Sequence, residues 1–140
     1  MASTPIFVAT AQLGHSRPSA ANTASDGSGT EGVDIFTIVT ATANGTRVDS
    51  IKVMNSQNTY ALSTALIVRV FITDTSGNNP RLFDEITMAA ATRSASAVGA
   101  SNVVNYAGGL FLASGQKIKV TVSVFNAASQ VDVTARGGNM

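Results

Sequence analysis

Residues 65–88 read Ala-Leu-Ile-Val-Arg-Val-Phe-Ile-Thr-Asp-Thr-Ser-Gly-Asn-Asn-Pro-Arg-Leu-Phe-Asp-Glu-Ile-Thr-Met, a strand, a turn and a returning strand. Leu66, Val68, Val70 and Ile72 share one face of the first strand, and Ile67 and Phe71 share the other with Arg69 between them. Both faces are largely apolar, so this strand belongs inside a sheet and its second face needs a cover, either an arm of the same chain or a neighbouring subunit. Asp74 to Pro80 is dense in turn formers, and beyond it Leu82, Asp84, Ile86 and Met88 alternate with Arg81, Phe83, Glu85 and Thr87.

Outward from this hairpin the same period of two recurs. Val33, Ile35 and Val39 oppose Phe36 and Ile38, giving a strand to about Thr42. Asn44-Gly45 follows as a type I′ hairpin signal, and Thr46 to Asn55 forms the return strand. Downstream, the small-residue run Ala89 to Ser101 predicts an extended loop, because Thr92, Ser94, Ser96 and Gly99 weaken helix propensity and no apolar stripe would hold a helix down. A short strand is expected at Gly109 to Ala113. After Ser114-Gly115, Ile118, Val120, Val122 and Val124 point to the core while Lys117, Lys119, Thr121 and Ser123 point to water. Asn126 to Ser129 makes the last turn, and Val131, Val133 and Ala135 close the sheet.

At the N-terminal side a short alternating segment, Ile6 to Leu13, precedes Gly14 to Gly32, which has no periodicity. The pattern predicts an all-β chain: an antiparallel, jelly-roll-like β-sandwich of seven or eight strands with an extended N-terminal arm. The expected boundaries are an arm over 1–32, a sandwich over 33–136 and a tail over 137–140.

Composition narrows the function classes. Charged residues make up 12% of the 140, about half the usual share of roughly 25%. Six Arg and three Lys are scattered along the chain and the net charge is +1, so the basic stripe of a nucleic-acid binder is missing. Ser, Thr, Asn and Ala take the place of charge, short side chains with little rotamer entropy to lose when they pack against a neighbour. Without cysteine there is no disulfide, thiolate metal site or cysteine nucleophile. The opening Met1 to Val8 has no basic n-region or long apolar core of a signal peptide. No apolar run approaches the roughly 20 residues of a membrane span. Synthesis in the cytosol is expected.

Reactive constellations are sparse. His15 is the single histidine and reads as a solvated arm residue, far in sequence from any Ser and Asp pair. Asp84 and Glu85 are adjacent on a strand and point to opposite faces, which suits an ion pair to Arg69 or Arg81 better than paired carboxylate chemistry. A hydrolase built on Asp84 or Asp132 lacks a nucleophile and base that can be paired. The loops at Asp26 to Glu31 and Asp74 to Asn78 alternate oxygen side chains as calcium loops do, but turn chemistry accounts for both. Gly108-Gly109 leads into Leu110 without a Walker lysine. No catalytic, metal or cofactor site is therefore expected.

Several motifs together carry a resemblance across nearly the whole chain: Thr4-Pro5-Ile6-Phe7-Val8-Ala9-Thr10, Ala21-Asn22-Thr23-Ala24 with the following Asp26-Gly27-Ser28-Gly29-Thr30, Asn44-Gly45-Thr46-Arg47-Val48-Asp49-Ser50-Ile51, the Val68 to Ile72 and Arg81 to Glu85 hairpin, and Gly108-Gly109-Leu110-Phe111-Leu112-Ala113-Ser114-Gly115. The chain resembles a family of small structural proteins of tailed bacteriophages. The resemblance implies a virion component, made in the host cytoplasm, that decorates or cements the capsid, or alternatively one that sits in a tail or fibre as a receptor- or glycan-binding module using Tyr60, Tyr106 and loop Asn residues. Its implied partners are the major capsid protein or other virion proteins and further copies of itself, with a trimer favoured and neither nucleic acid nor membrane. The candidate contact set is Ile6, Phe7, Val8, His15 and Arg17 in the arm, Ile67, Arg69 and Phe71 on the second face of the hairpin, Asn78 and Asn79 in its turn, and Arg93 and Tyr106 beyond it.

Overall fold

The computed structural model describes residues 10–56, 61–62, 64–125 and 130–140. These residues form strands β1 (Thr10–Ser16), β2 (Phe36–Thr40), β3 (Thr46–Asn55), β4 (Ala61–Leu62), β5 (Leu66–Ile72), β6 (Arg81–Met88), β7 (Ala91–Thr92), β8 (Ser101–Leu112), β9 (Lys117–Val122) and β10 (Val131–Asn139), with no helix among them. One antiparallel sheet has the order β1-β10-β3-β8, a second has the order β2-β9-β5-β6, and β4 pairs with β7 in a short ribbon. The protein is all-β. Ile6, Phe7, Val8 and Tyr60, and the turn expected at 126–129, lie outside the described residues.

Alternation builds the core. Ile51 and Val53 of β3 and Val133 and Ala135 of β10 pack with Val68 and Val70 of β5, Ile86 and Met88 of β6, and Ile118, Val120 and Val122 of β9, so both sheets feed one buried cluster. Each fully buried aliphatic side chain contributes about 1.5–3 kcal/mol. The opening hairpin forms as its pattern predicts, with Leu66 opposite Met88 and Arg69 opposite Glu85.

Four expectations are corrected. Asn44-Gly45 joins no hairpin, because β2 and β3 lie in different sheets. The Gly45 amide donates to the Thr42 carbonyl at 2.9 Å, and positive φ falls on Gly45 and not on Asn44. A type I′ turn needs positive φ at both central residues, so this is a corner that carries the chain between sheets. The strand expected at Gly109 to Ala113 is the end of a longer one. In β8, Val48 faces Leu110 and Ser50 faces Asn105, so Asp49 alone spans Tyr106 to Gly109, and this bulge conceals the period of two. Residues 137–139 are strand and not tail: after a register shift at Arg136/Gly137, β10 continues to Asn139 beside Thr46. Gly137 permits this because a Cβ there would lie 2.0 Å from the Arg47 carbonyl oxygen.

The arm is the fourth. Residues 10–16 form β1, an edge strand paired with β10, and residues 17–35 cross to the second sheet as a strap. The Asn22 amide donates to the Val122 carbonyl at 2.8 Å, Glu31 pairs with Lys119 at 2.8 Å, and buried Gly27 lies against Pro80. Phe71 and Ile35 are 0% and 2% exposed, yet stand outside the main core cluster, and Phe71 is paired with Lys119, which holds Glu31 of the strap. Thr121, expected to face water, is fully buried as well.

Candidate interaction surface

The two sheets differ in what covers their outer faces. On the second sheet, Arg69 lies opposite Thr121 and Phe71 opposite Lys119, under or beside the strap. Arg69 donates to Glu85 at 2.9 Å and its side chain is only 14% exposed. Phe71 and Arg69 are therefore internal to one chain and unavailable as contacts to a neighbour. Ile67 is half-buried, its amide donating to the Ser123 hydroxyl.

On the first sheet all four strands present exposed residues on the outer face, and the loop of residues 93–99 lies beside Met54 at one end. Register places His15, Thr134, Lys52 and Val103 in one row across its four strands. Arg136 stands opposite Ser50, and Phe111 stands opposite Arg47. Arg17, immediately after β1, donates twice to Asp132, at 2.6 and 3.0 Å. The hydrogen bond from Arg17 is the main cause that holds the Asp132 carboxyl below its ordinary range. His15 is exposed, but as a strand residue and not as part of a loose arm. Val103 and Phe111 are 47% and 57% exposed, because their neighbours Val104, Leu110 and Leu112 face the core.

Where the sheets end together, β6 faces β8. Phe83 and Tyr106 meet with ring centroids 5.7 Å apart, and the Tyr106 hydroxyl donates to Asp84 Oδ2 at 3.3 Å. Asp84 Oδ1 accepts the Glu85 amide at 2.8 Å. Asn102 acts reciprocally on β8: its Oδ1 accepts the Val103 amide at 2.8 Å, and its Nδ2 donates to the Thr87 carbonyl at 2.9 Å. Each edge strand thus satisfies one backbone amide with its own side chain and reaches across to the other strand. Edges closed in this way offer less to a pairing strand. Burial and then the Asp84 charge push the Tyr106 phenol up from its ordinary value, and Tyr106 is no free stacking platform.

The remaining sequence candidates fold onto themselves. Asp74 Oδ1 accepts the Ser76 hydroxyl, the Ser76 amide and the Asn78 amide, and Oδ2 accepts from Asn79 Nδ2. These bonds, led by the Ser76 hydroxyl, lower the Asp74 carboxyl to about 2 and make the Asn78 and Asn79 turn a preorganised one. Arg93 donates to the Asn55 carbonyl. Among the described residues no group of three or more His, Asp or Glu converges as metal ligands do. Among the described residues the candidate set is therefore dispersed: His15 and Arg17 lie on the first sheet's side, Ile67, Arg69 and Phe71 share the other sheet, and Asn78, Asn79, Arg93 and Tyr106 occupy separate loops and edges.

Sequence reasoning missed Phe83, Val103 and Phe111 as exposed apolar residues. For Phe83 the obstacle is the register shift that pairs Val70 with Asp84 but Phe71 with Leu82, leaving Phe83 as an extra residue; for Phe111 the usable signal was Gly108-Gly109, where a bulge resets the alternation.

No family model matches this chain, and no curated protein matches it either.

Proposed function

We propose that the protein is a structural virion component of a tailed bacteriophage, made in the host cytoplasm, that binds the capsid surface as a decoration or cement protein and works as a homo-oligomer, a trimer being favoured. The observation that carries the reading is the strand order. β1-β10-β3-β8 and β2-β9-β5-β6 are orders that fit two interleaved Greek keys, which supports a jelly-roll-like sandwich, an architecture used by capsid proteins and by lectins. That argument is an analogy of fold. The exposed outer residues of the first sheet support the reading independently, since exposed aromatic and arginine side chains such as Phe111 and Arg136 suit protein contact. The phage-family resemblance of the sequence motifs points the same way.

The test is to infect, purify and wash particles, and locate the protein by mass spectrometry and electron microscopy. Density repeated over the head shell is the expected result. Absence from washed particles overturns the proposal, and density confined to a tail or fibre supports the alternative receptor-binding role. Deleting residues 2–31 is a poor probe, because it removes β1 from β10 together with the bonds of Asn22 and Glu31 to the second sheet.

A further inference from the structure

The charges of this chain are few but sorted. The first sheet and its flanking segments hold four bases, Arg47, Lys52, Arg93 and Arg136, against the acids Asp49 and Asp132. The second sheet, its strap and its turn hold five bases, Arg17, Arg69, Arg81, Lys117 and Lys119, against six acids. A net charge of +1 thus conceals a half carrying +2 and a half carrying −1.

The two halves also match in shape and polarity. The tip of the strap is Glu31-Gly32-Val33-Asp34. Val33 is 54% exposed there between two acids, and a Cβ added at Gly32 would meet nothing within 4 Å, so the tip projects. On the first sheet, exposed Val103 lies opposite exposed Lys52. Exposed Arg136 sits one diagonal from Lys52, a separation of about 7–8 Å. One surface is an apolar side chain beside two carboxylates, of which Glu31 also holds Lys119, and the other is an apolar side chain beside Lys52 with Arg136 beyond it.

We infer that a second copy of this chain docks head to tail, the strap tip around Val33 of one copy seating on the outer face of the first sheet, at Lys52, Val103 and Arg136, of the next. Two different patches meet in such a contact, so successive copies form a ring where the rotation closes and a filament where it does not. The sealed β6 and β8 edges fit this arrangement, because association proceeds through side chains on a face and not through added strands. The inference goes beyond the virion role, since purified protein alone displays it.

The test is sedimentation equilibrium of the full chain in low and high salt. Wild-type protein associates near 0.05 M salt, and its association weakens at least tenfold toward 1 M, where the screening length falls to about 3 Å. Val33→Asp and the pair Lys52→Glu with Arg136→Glu each weaken association at least tenfold, while Arg81→Glu, a charge change on the opposite sheet, does not. All four altered positions are exposed, and far-UV circular dichroism confirms that each variant keeps its sheets. A wild-type chain that stays monomeric in low salt overturns the inference, as does association that all of these variants leave intact or that Arg81→Glu weakens equally.

Discussion

Asp84 on β6 accepts the Tyr106 hydroxyl of β8 at 3.3 Å while its other oxygen holds the amide of Glu85, its own neighbour. One carboxylate therefore closes an edge strand and ties it to the opposite sheet. Asp84→Ala is expected to lose both bonds and to cost about 1–2 kcal/mol in urea unfolding. Light scattering should rise as the freed edge becomes available for pairing. The same contact has a signature in base. A phenol whose folded pKa is raised stabilises the fold fully below its unfolded value of about 10, and that stabilisation is lost as pH rises through the folded value. Phenolate absorbance assigned with Tyr106→Phe should appear late in alkaline titration, and earlier in Asp84→Asn.

Phe71 distinguishes a buried position from an open one. Because it is fully buried on the sheet that the strap crosses, Phe71→Ala should destabilise the protein by about 3–5 kcal/mol. Phe83→Ala, at a half-exposed ring whose main specific contact is Tyr106, should cost about 0.5–1.5 kcal/mol plus a modest burial loss. Equal effects in chemical denaturation would contradict this burial of Phe71.

Gly14 marks where the sheets meet at their other margin. A Cβ at this position would lie 1.8 Å from the Ile38 carbonyl oxygen, a backbone atom that a rotamer change cannot move. Gly14→Ala should cost at least about 1–3 kcal/mol and selectively speed amide exchange in β1, as that edge strand is pushed away from β2.

Two ion pairs pin the strap, Arg17 with Asp132 and Glu31 with Lys119. Burial pushes Glu31 up, but hydrogen bonds from Lys119 and Thr37 outweigh it, and the net shift is downward; Asp132 is lowered chiefly by Arg17. Carboxyls with depressed folded values stabilise above the unfolded range, and the contribution is lost as pH falls through the folded values, here below about pH 4. Amide resonances of Asn22 and Thr37 should shift in that window before the core strands respond, and Lys119→Met should move the change to higher pH.

Period-two alternation made most strands legible. Thr46–Asn55 and the pairing of Leu66–Ile72 with Arg81–Met88 could be read directly, because buried aliphatics on one face leave few alternative registers. The need to cover Phe71 was legible as well, although the choice between arm and neighbour was not. Where residues were misplaced, a bulge or glycine had reset the alternation, at Phe83, at Tyr106 to Gly109 and at Gly137. Those resets depend on the partner strand, which is distant in sequence.

The sequence by itself determined that the chain is all-β, most of the side chains that form the core, and that the hairpin strand has two apolar faces, since these follow from local periodicity. Tertiary structure alone decided that Asn44-Gly45 turns between sheets, that the strap crosses to the sheet that buries Phe71, and that most of the acids gather on that half. Each of these depends on contacts between residues far apart in the chain, and a local pattern of side chains carries no information about which distant strand will lie beside it.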